Sequence, residues 1–355
     1  MGSPSRCRVR QRRKQLRHNS TGALAATRYQ SDRPASSARP LRPGPPASAL
    51  AGAPGRGDRV RGVDPLLVIT NSDAGTADEE NLDAALAVLR ERASVEVAAT
   101  SNPGELDGVL HRAGSRRIVV AGGDGSLHAV IAALHRRQEL KNAVLGLLPL
   151  GTGNDFARGT DIPLDPAEAA EVVLRDNPRP IDLVVDEVGE IVVNSVHVGA
   201  GADASRRGAS LKKRFGRIAY PIGALLTALD PATVRLRVEI DGEVVSDLDR
   251  PVLMVAVGNG PSVGGGTHLT PDADPEDGQV DVLISRSTGP LARVLYAVRL
   301  GFASHHERED VTYLRGGRVS VSGGPFWCSA DGEVYGPERQ RTWHVEPAAY
   351  HMLLP

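Results

Sequence analysis

From Pro65 onward the chain alternates short apolar runs with stretches whose apolar residues recur at helical spacing. "LLVITNSDAG" is an apolar run closed by turn residues, and "NLDAALAVLRERA" follows with Leu82, Ala85, Leu86 and Leu89 on one helical face. "VEVAAT" predicts a second strand, and "GELDGVLHRAG" a helix with Leu106, Val109 and Leu110 inward, ended by Gly114. "RRIVVAGG" is the third apolar run. Leu127, Val130, Ile131 and Leu134 then repeat at i, i+3, i+4 and i+7, with Ser126 in position to cap the helix. "AVLGLLPLGTGNDFARG" supplies a fourth strand and a second glycine-rich loop, and "DPAEAAEVVLRD" opens a helix with Asp165 as cap and Pro166 in its first turn. Apolar strands alternating with amphipathic helices predict a doubly wound parallel α/β domain over residues 64–180.

After Pro180 the pattern changes to short β-rich runs between Gly, Asp and Pro turns: "IDLVVD", "EIVVNSVHVG", "VRLRVEI", "EVVSDL", "PVLMVAVG", "QVDVLIS", "RVSVSG" and "TWHVEP". A second, mainly β domain over residues 181–335 follows from it. Two helical stretches interrupt it, "RFGRIAYPIGALLTAL" and "PLARVLYAVRLGFASHH". The latter sets Leu291, Val294, Leu295, Val298 and Phe302 on one face. Core packing is the expectation for that stripe, with a membrane-facing surface as the alternative.

The chain has 355 residues with 42 basic and 43 acidic side chains, a formal net charge of -1, which argues against a nucleic-acid partner. Residues 1–63 depart from this balance: they are rich in Arg, Pro, Ala and Ser, and read as a disordered tail that buries too little apolar surface to fold. Its origin stays open between a transit peptide, a membrane-surface tether and an over-long translation start. The longest apolar runs fall short of the roughly 18–20 residues that span a bilayer. Cys7 and Cys328 offer neither a disulfide framework nor a zinc pair, which fits a reducing cytoplasm. His305 and His306 sit in the charged segment "HHERED" and read as a solvated helix end or loop.

The candidate chemistry begins where the third strand stops in Gly122-Gly123-Asp124-Gly125. Glycines let the backbone approach an anion, and the following helix aims its free N–H groups at the same point. Asp124 would repel a phosphate unless a divalent cation sat between them. One strand later, Gly151, Thr152, Gly153, Asn154 and Asp155 form a second loop beside it, at strand ends where ligands gather in open α/β sheets. Neither loop is a Walker A or a complete GxGxxG sequence.

These loops, with "VGAGADAS", "LKKRFGRIAYPIGALLTAL", "NGPSVGGGTHLTPDADPEDGQVDV" and a late "DGE", resemble in order the blocks of the diacylglycerol kinase catalytic family, the bacterial lipid kinases that also look like sphingosine and ceramide kinases. The resemblance runs from about residue 65 to the C-terminus. It implies a nucleotide-binding α/β domain, a β-sandwich-like lipid-substrate domain, and a final segment, residues 336–355, returning to the first. It implies ATP and Mg2+ as cofactors, and nucleotide contacts from Thr100, Gly122, Gly123, Asp124, Gly125, Ser126, Gly151, Thr152, Gly153 and Asn154. It also implies a catalytic group of Glu333 as general base, Asp331 beside it, and Asp124. A structural Mg2+ is implied at the side chain of Asp277 and the main-chain oxygens of Asp274 and Gln279; an acidic solvated turn is the alternative.

Asp241-Gly242-Glu243 repeats the late tripeptide, and Asp-Gly between β-like runs is chiefly a hairpin signal. Position within the family pattern selects Glu333. Lys212, Lys213, Arg214 and Arg217 form a basic cluster that fits either anionic lipid or an exposed face. His128 stands where the family often has Asn, and Ser126 where it often has Thr.

The reading is therefore an ATP-dependent kinase of a diacylglycerol-like lipid, giving a phosphatidic-acid-like product. The same reading expects a cytoplasmic protein, peripheral at the membrane, with the membrane lipid as its partner and room for a homodimer. The alternatives are a kinase of a soluble metabolite, such as NAD or a sugar phosphate, and a catalytically dead lipid- or nucleotide-sensing module.

Overall fold

A computed structural model describes residues 64–72, 76–199, 202 and 233–355. The tail of residues 1–63, Cys7, the helical stretch "RFGRIAYPIGALLTAL" and the Lys212, Lys213, Arg214 and Arg217 cluster lie outside the described residues.

The first half alternates strand and helix: β1 (Leu66–Asn71), α1 (Thr76–Arg92), β2 (Val95–Thr100), α2 (Pro103–His111), β3 (Arg117–Gly122), α3 (Asp124–Arg136), β4 (Val144–Pro149), α4 (Asp155–Gly159) and α5 (Pro166–Arg175). All four strands pair in parallel, in the order β2-β1-β3-β4. From β1 the chain steps to β2 on one side and to β3 and β4 on the other. The switch point lies between β1 and β3, where such sheets open a crevice at their carboxyl ends.

Asp165 caps α5 as the sequence predicts, its Oδ1 accepting from the N–H groups of Ala167 and Glu168 at 2.9 and 3.1 Å. Helix α3 differs. It begins at Asp124 with Gly123 as its N-cap, three residues before the predicted cap Ser126. Gly123 has no side chain to cap the helix, so the first-turn N–H groups face the crevice unclaimed by a cap.

The second half comprises β5 (Pro178–Asp186), β6 (Ile191–Val192), β7 (Ser195–Gly199), β8 (Leu236–Ile240), β9 (Glu243–Ser246), β10 (Met254–Gly258), β11 (Ser262–Val263), β12 (Thr267–His268), β13 (Val280–Ser285), α6 (Pro290–Gly301), β14 (Val311–Gly316), β15 (Arg318–Ala330) and β16 (Glu333–Leu353). The fold is the predicted class, a parallel α/β sheet with a β-sandwich-like partner, but one sheet runs through both halves in the order β14-β13-β10-β7-β15-β16-β4-β3-β1-β2.

Strand β16 makes that junction. Its first part pairs antiparallel with β15, its later part antiparallel with β5, and His351 and Met352 pair in parallel with Val144 and Leu145 of β4. Trp343 and Tyr350, both fully buried on this strand, belong to different hydrophobic cores. The strand continues through residue 335 without a break.

Two local expectations are corrected. The stripe on α6 is not core: Leu291 and Phe302 are 72% and 80% exposed, because Arg293 and Tyr296 take the inward face. Periodicity identifies a stripe but not the side that packs. His305 is fully buried rather than solvated, its Nε2 at 2.8 Å from the carbonyl oxygen of Leu269, and burial holds its pKa below the ordinary imidazole value. Among the described residues no helix is long and apolar enough to cross a membrane.

Candidate active site

Parallel register sets the site. Asn71 pairs with Thr100, Thr70 with Ala121, and Gly122 with Pro149, so four strand ends form one edge of the sheet. Thr100 ends β2 on that edge, its carbonyl accepting from the Ser72 N–H at 3.1 Å.

The two glycine loops are in direct contact. A Cβ on Gly151 would lie 2.5 Å from the Cα of Gly123, and the Leu150 N–H donates to the Gly122 carbonyl at 3.1 Å. Asn154 is left-handed at φ 52° and donates from Nδ2 to the Gly151 carbonyl at 2.8 Å, which folds the second loop back on the first. The Ser126 side chain sits against Gly122, where a Cβ would lie 2.5 Å from its Oγ. Gly125 and Thr152 are exposed on the crevice loops, and Gly153 passes beside Asp124.

Asp124 resolves the oddity of an acid in a glycine cradle. Its Oδ2 and Oδ1 accept from the N–H groups of Asp155 and Phe156, both at 3.0 Å, so it caps α4 across the two loops. Oδ1 also meets Asn194 Nδ2 at 3.5 Å, which leaves Oδ2 as the oxygen with a further acceptor site.

The late Asp-Gly turn reaches the same place. Ala330 pairs with Glu333, and Asp331 and Gly332 between them have φ 46° and 90°, the positive values of a two-residue hairpin turn. The sequence reading puts Asp331 in the chemistry beside Glu333; the structure instead occupies its carboxylate. That group accepts from the N–H groups of Val193, Asn194 and Ser195 at 2.6, 2.9 and 3.2 Å and meets His128 Nδ1 at 3.0 Å. Asp331 thus ties the hairpin to α3 and to residues 193–195.

Glu333 remains exposed at the head of the hairpin. Burial opposes charge on His128, but the hydrogen bond and charge of Asp331, with Glu333 and Glu190, raise its pKa above the ordinary value. Glu333 is therefore within electrostatic range of a residue on the first turns of α3.

The earlier tripeptide forms the same turn, with Asp241 and Gly242 at φ 51° and 87° and Ile240 paired with Glu243. Its carboxylate caps the Gly317 and Arg318 N–H groups, where β14 gives way to β15. Turn chemistry is identical in the two copies, and only tertiary placement separates them.

Sequence reasoning missed several members. Asp155, quoted only within its loop, is 8% exposed and binds the N–H groups of Gly265 and Gly266 at 2.9 and 2.7 Å. Burial raises its pKa, which those two donors partly offset. Three consecutive glycines, 264–266, all at positive φ, were the available signal. Buried Asn194 reaches Asp124 at 3.5 Å, and Asn259 clamps the carbonyls of Asp182 and Val193 at 3.1 and 2.9 Å.

Asp274, Asp277 and Gln279 form a turn remote from these loops in the chain. Asp277 is paired with Arg315 and accepts from the Gln279 N–H at 3.0 Å, while Asp274 accepts from Glu276 N–H at 3.0 Å. Asp182 fastens the turn by accepting from the Gly278 N–H at 2.5 Å. Among the described residues no group of three acidic, His or Cys side chains is arranged to hold a metal.

The crevice fits a nucleotide: Gly125 carries open space where a Cβ would stand, beside uncapped helix N–H groups. It also fits Mg2+, which takes one or two carboxylates, phosphate oxygens and water rather than a full protein cage. Asp124 is the carboxylate that stands beside the glycine loops. A hollow of about 560 Å3, lined by His135, Gln138, Lys141 and Pro347, lies at the other end of α3 and shares no residue with the site.

Known proteins match both halves. The diacylglycerol kinase catalytic domain matches residues 65–185, and the YegS C-terminal NAD kinase beta sandwich-like domain matches residues 194–354. A probable lipid kinase, YegS-like, of Xanthomonas euvesicatoria pv. vesicatoria is 31% identical over 299 residues, covering 79% of this chain and 93% of the relative. One of Stenotrophomonas maltophilia is 34% identical over 311 residues, covering 81% and 95%. A crystal structure described as a diacylglycerol kinase from Bacillus anthracis str. Sterne superimposes with a TM-score of 0.66 at 22% identity, over 82% of this chain and 97% of that one.

Proposed function

Because the chain belongs to the diacylglycerol kinase catalytic family, we propose that it is a lipid kinase that moves the γ-phosphoryl group of ATP to the free hydroxyl of a diacylglycerol-like lipid. One observation carries the reading: the hairpin bearing Glu333 is tied through Asp331 to His128, on the helix whose N-terminus opens the glycine loop. The turn that carries the proposed base is thereby joined to the helix that carries the proposed cradle.

The roles follow from position. Backbone N–H groups at Gly123 to Gly125 hold phosphate oxygens, and the N-terminal end of α3 favours their charge. Glu333 takes the proton of the acceptor hydroxyl as its oxygen bonds to the γ-phosphorus and the bond to the β-phosphate oxygen breaks, releasing ADP. Asp124 orients the second loop by capping α4 and offers the further acceptor site of Oδ2 to the phosphate side. A divalent cation, when bound there, neutralises phosphate charge.

Purified protein, labelled ATP and Mg2+ with mixed micelles of diacylglycerol, sphingoid bases or monoacylglycerols should label diacylglycerol. Label in none of these lipids overturns the proposal. The β-sandwich match to an NAD kinase-like domain favours a second reading, a soluble-metabolite kinase. Labelling of NAD or a sugar phosphate without detergent, and of no lipid, would put it first.

A further inference from the structure

Helix α6 is amphipathic with its faces reversed. Arg293 and Tyr296 face inward, each 4% exposed; the Tyr296 hydroxyl donates to Met254 Sδ at 3.4 Å and its ring meets His305 edge-on at 5.5 Å. Outward stand Leu291, Val294, Leu295, Val298 and, at the C-cap, Phe302, with exposures of 72, 44, 45, 52 and 80%. Their spacing makes one stripe. The other exposed large apolar residues, such as Val97, Leu164 and Val188, are scattered singly along the described chain. Single ones are ordinary, whereas a contiguous patch marks an interaction surface.

Charge bears on the occupant. Residues 286–306 contain no Asp or Glu; of their basic side chains Arg293 and His305 are buried and Arg286 is bound to Thr312, and the exposed acids Glu307 and Glu309 follow only after the helix. Arg299 is exposed in the last turn of α6, beside the stripe. A helix face apolar along its length, with the exposed Arg299 at its edge, complements anionic headgroups above acyl chains. A chain of contacts joins this helix to the crevice. Helix α6 packs on β12, the turn between β11 and β12 gives the Gly265 and Gly266 N–H groups to Asp155, and the Asp155 N–H reaches Asp124.

We propose that α6 is a membrane-docking element whose stripe enters the interfacial layer of an anionic bilayer and holds the crevice at that surface. The choice of a bilayer over another apolar partner rests on the lipid-kinase reading.

The test uses the full chain, the double variant Leu291→Glu/Phe302→Glu, and Val188→Glu, which changes a 66% exposed apolar residue elsewhere, as control. Each is floated with vesicles of equal parts phosphatidylglycerol and phosphatidylcholine, and assayed on long-chain diacylglycerol in those vesicles and on short-chain diacylglycerol in free solution. The double variant should lose vesicle binding and vesicle-borne turnover by at least about tenfold, with short-chain turnover and melting temperature unchanged. Val188→Glu should match the parent.

Failure of the parent to bind these vesicles, or equal binding by the double variant, overturns the proposal. So does a parent dimer that the double variant splits while still binding vesicles, which would assign the stripe to a second copy. A melting temperature several degrees lower in the double variant would show that another segment of the chain covers the stripe, and overturns it too. A parent that binds vesicles through the stripe yet phosphorylates neither lipid would leave docking standing and remove the kinase reading instead.

Discussion

Replacing Gly125 with alanine should make the protein slightly more stable and yet unable to hold nucleotide. Gly125 is the second residue of α3, it is exposed, and a Cβ built on it meets no atom within 4 Å. Alanine in a helix exceeds glycine by roughly 0.5–1 kcal/mol, chiefly by restricting the unfolded chain. At roughly 2–4 °C per kcal/mol for a chain of this size, the melting temperature should rise by about 1–4 °C. The new methyl group, however, stands where a phosphate oxygen must approach the backbone N–H groups. A displacement of about 1 Å there costs on the order of a hundredfold in turnover. Gly151→Ala is the contrasting case: its Cβ would sit 2.5 Å from the Cα of Gly123 and 2.8 Å from Asn154 Oδ1, so the loops must part. Overpacking of that kind costs about 1–3 kcal/mol, and stability and turnover should fall together. Thermal melts with and without ATP, alongside ADP release, separate the two. A Gly125→Ala protein that melts higher with ATP by as much as the parent, and turns over normally, would refute the phosphate cradle.

Glu333→Gln should keep the parental melting temperature and nucleotide binding while losing turnover, whereas Asp331→Ala, which strips a buried carboxylate from four donors, should cost about 3–5 kcal/mol in a denaturant titration. His128 has a raised pKa, so its ion pair with Asp331 stabilises the fold fully below the ordinary imidazole value of about 6.5 and is lost as pH rises through the folded value. Melting temperature against pH should show that alkaline decline in the parent and not in His128→Asn. Asp281 runs the other way in cause: burial pushes its carboxyl up to about 6, so it withdraws stability as pH rises from about 4 through that value, and Asp281→Asn should flatten the melting curve there.

The first half of the fold was legible because its signal is local. Strand and helix alternate with one period each, and the glycine loops fall at strand ends by chain order alone. Strand β16 was not legible: Gly336, Pro337, Pro347 and Ala348 interrupt its apolar pattern, and "TWHVEP" alone reads as a short strand. Only pairing with three different strands sustains it over 21 residues. The two Asp-Gly turns show the same limit in the site. Their φ values and pairing are alike, and what distinguishes Asp331 is contact with residues 193–195 and His128, far away in the chain. The role of Asp155 was hidden for that reason as well, since its partners lie 110 and 111 residues later. On α6 the stripe was visible, but its outward direction depends on what Tyr296 finds to pack against.

Strand β16 also orders events during synthesis. Until His351 and Met352 leave the ribosome, β4 has β3 on one side and bare backbone on the other, and β5 holds only the two-residue β6. An open parallel edge of that kind invites pairing with a foreign strand. The half translated first is thus the half completed last, and a chain cut before His351 would be left with that edge open, aggregation-prone rather than a working fragment.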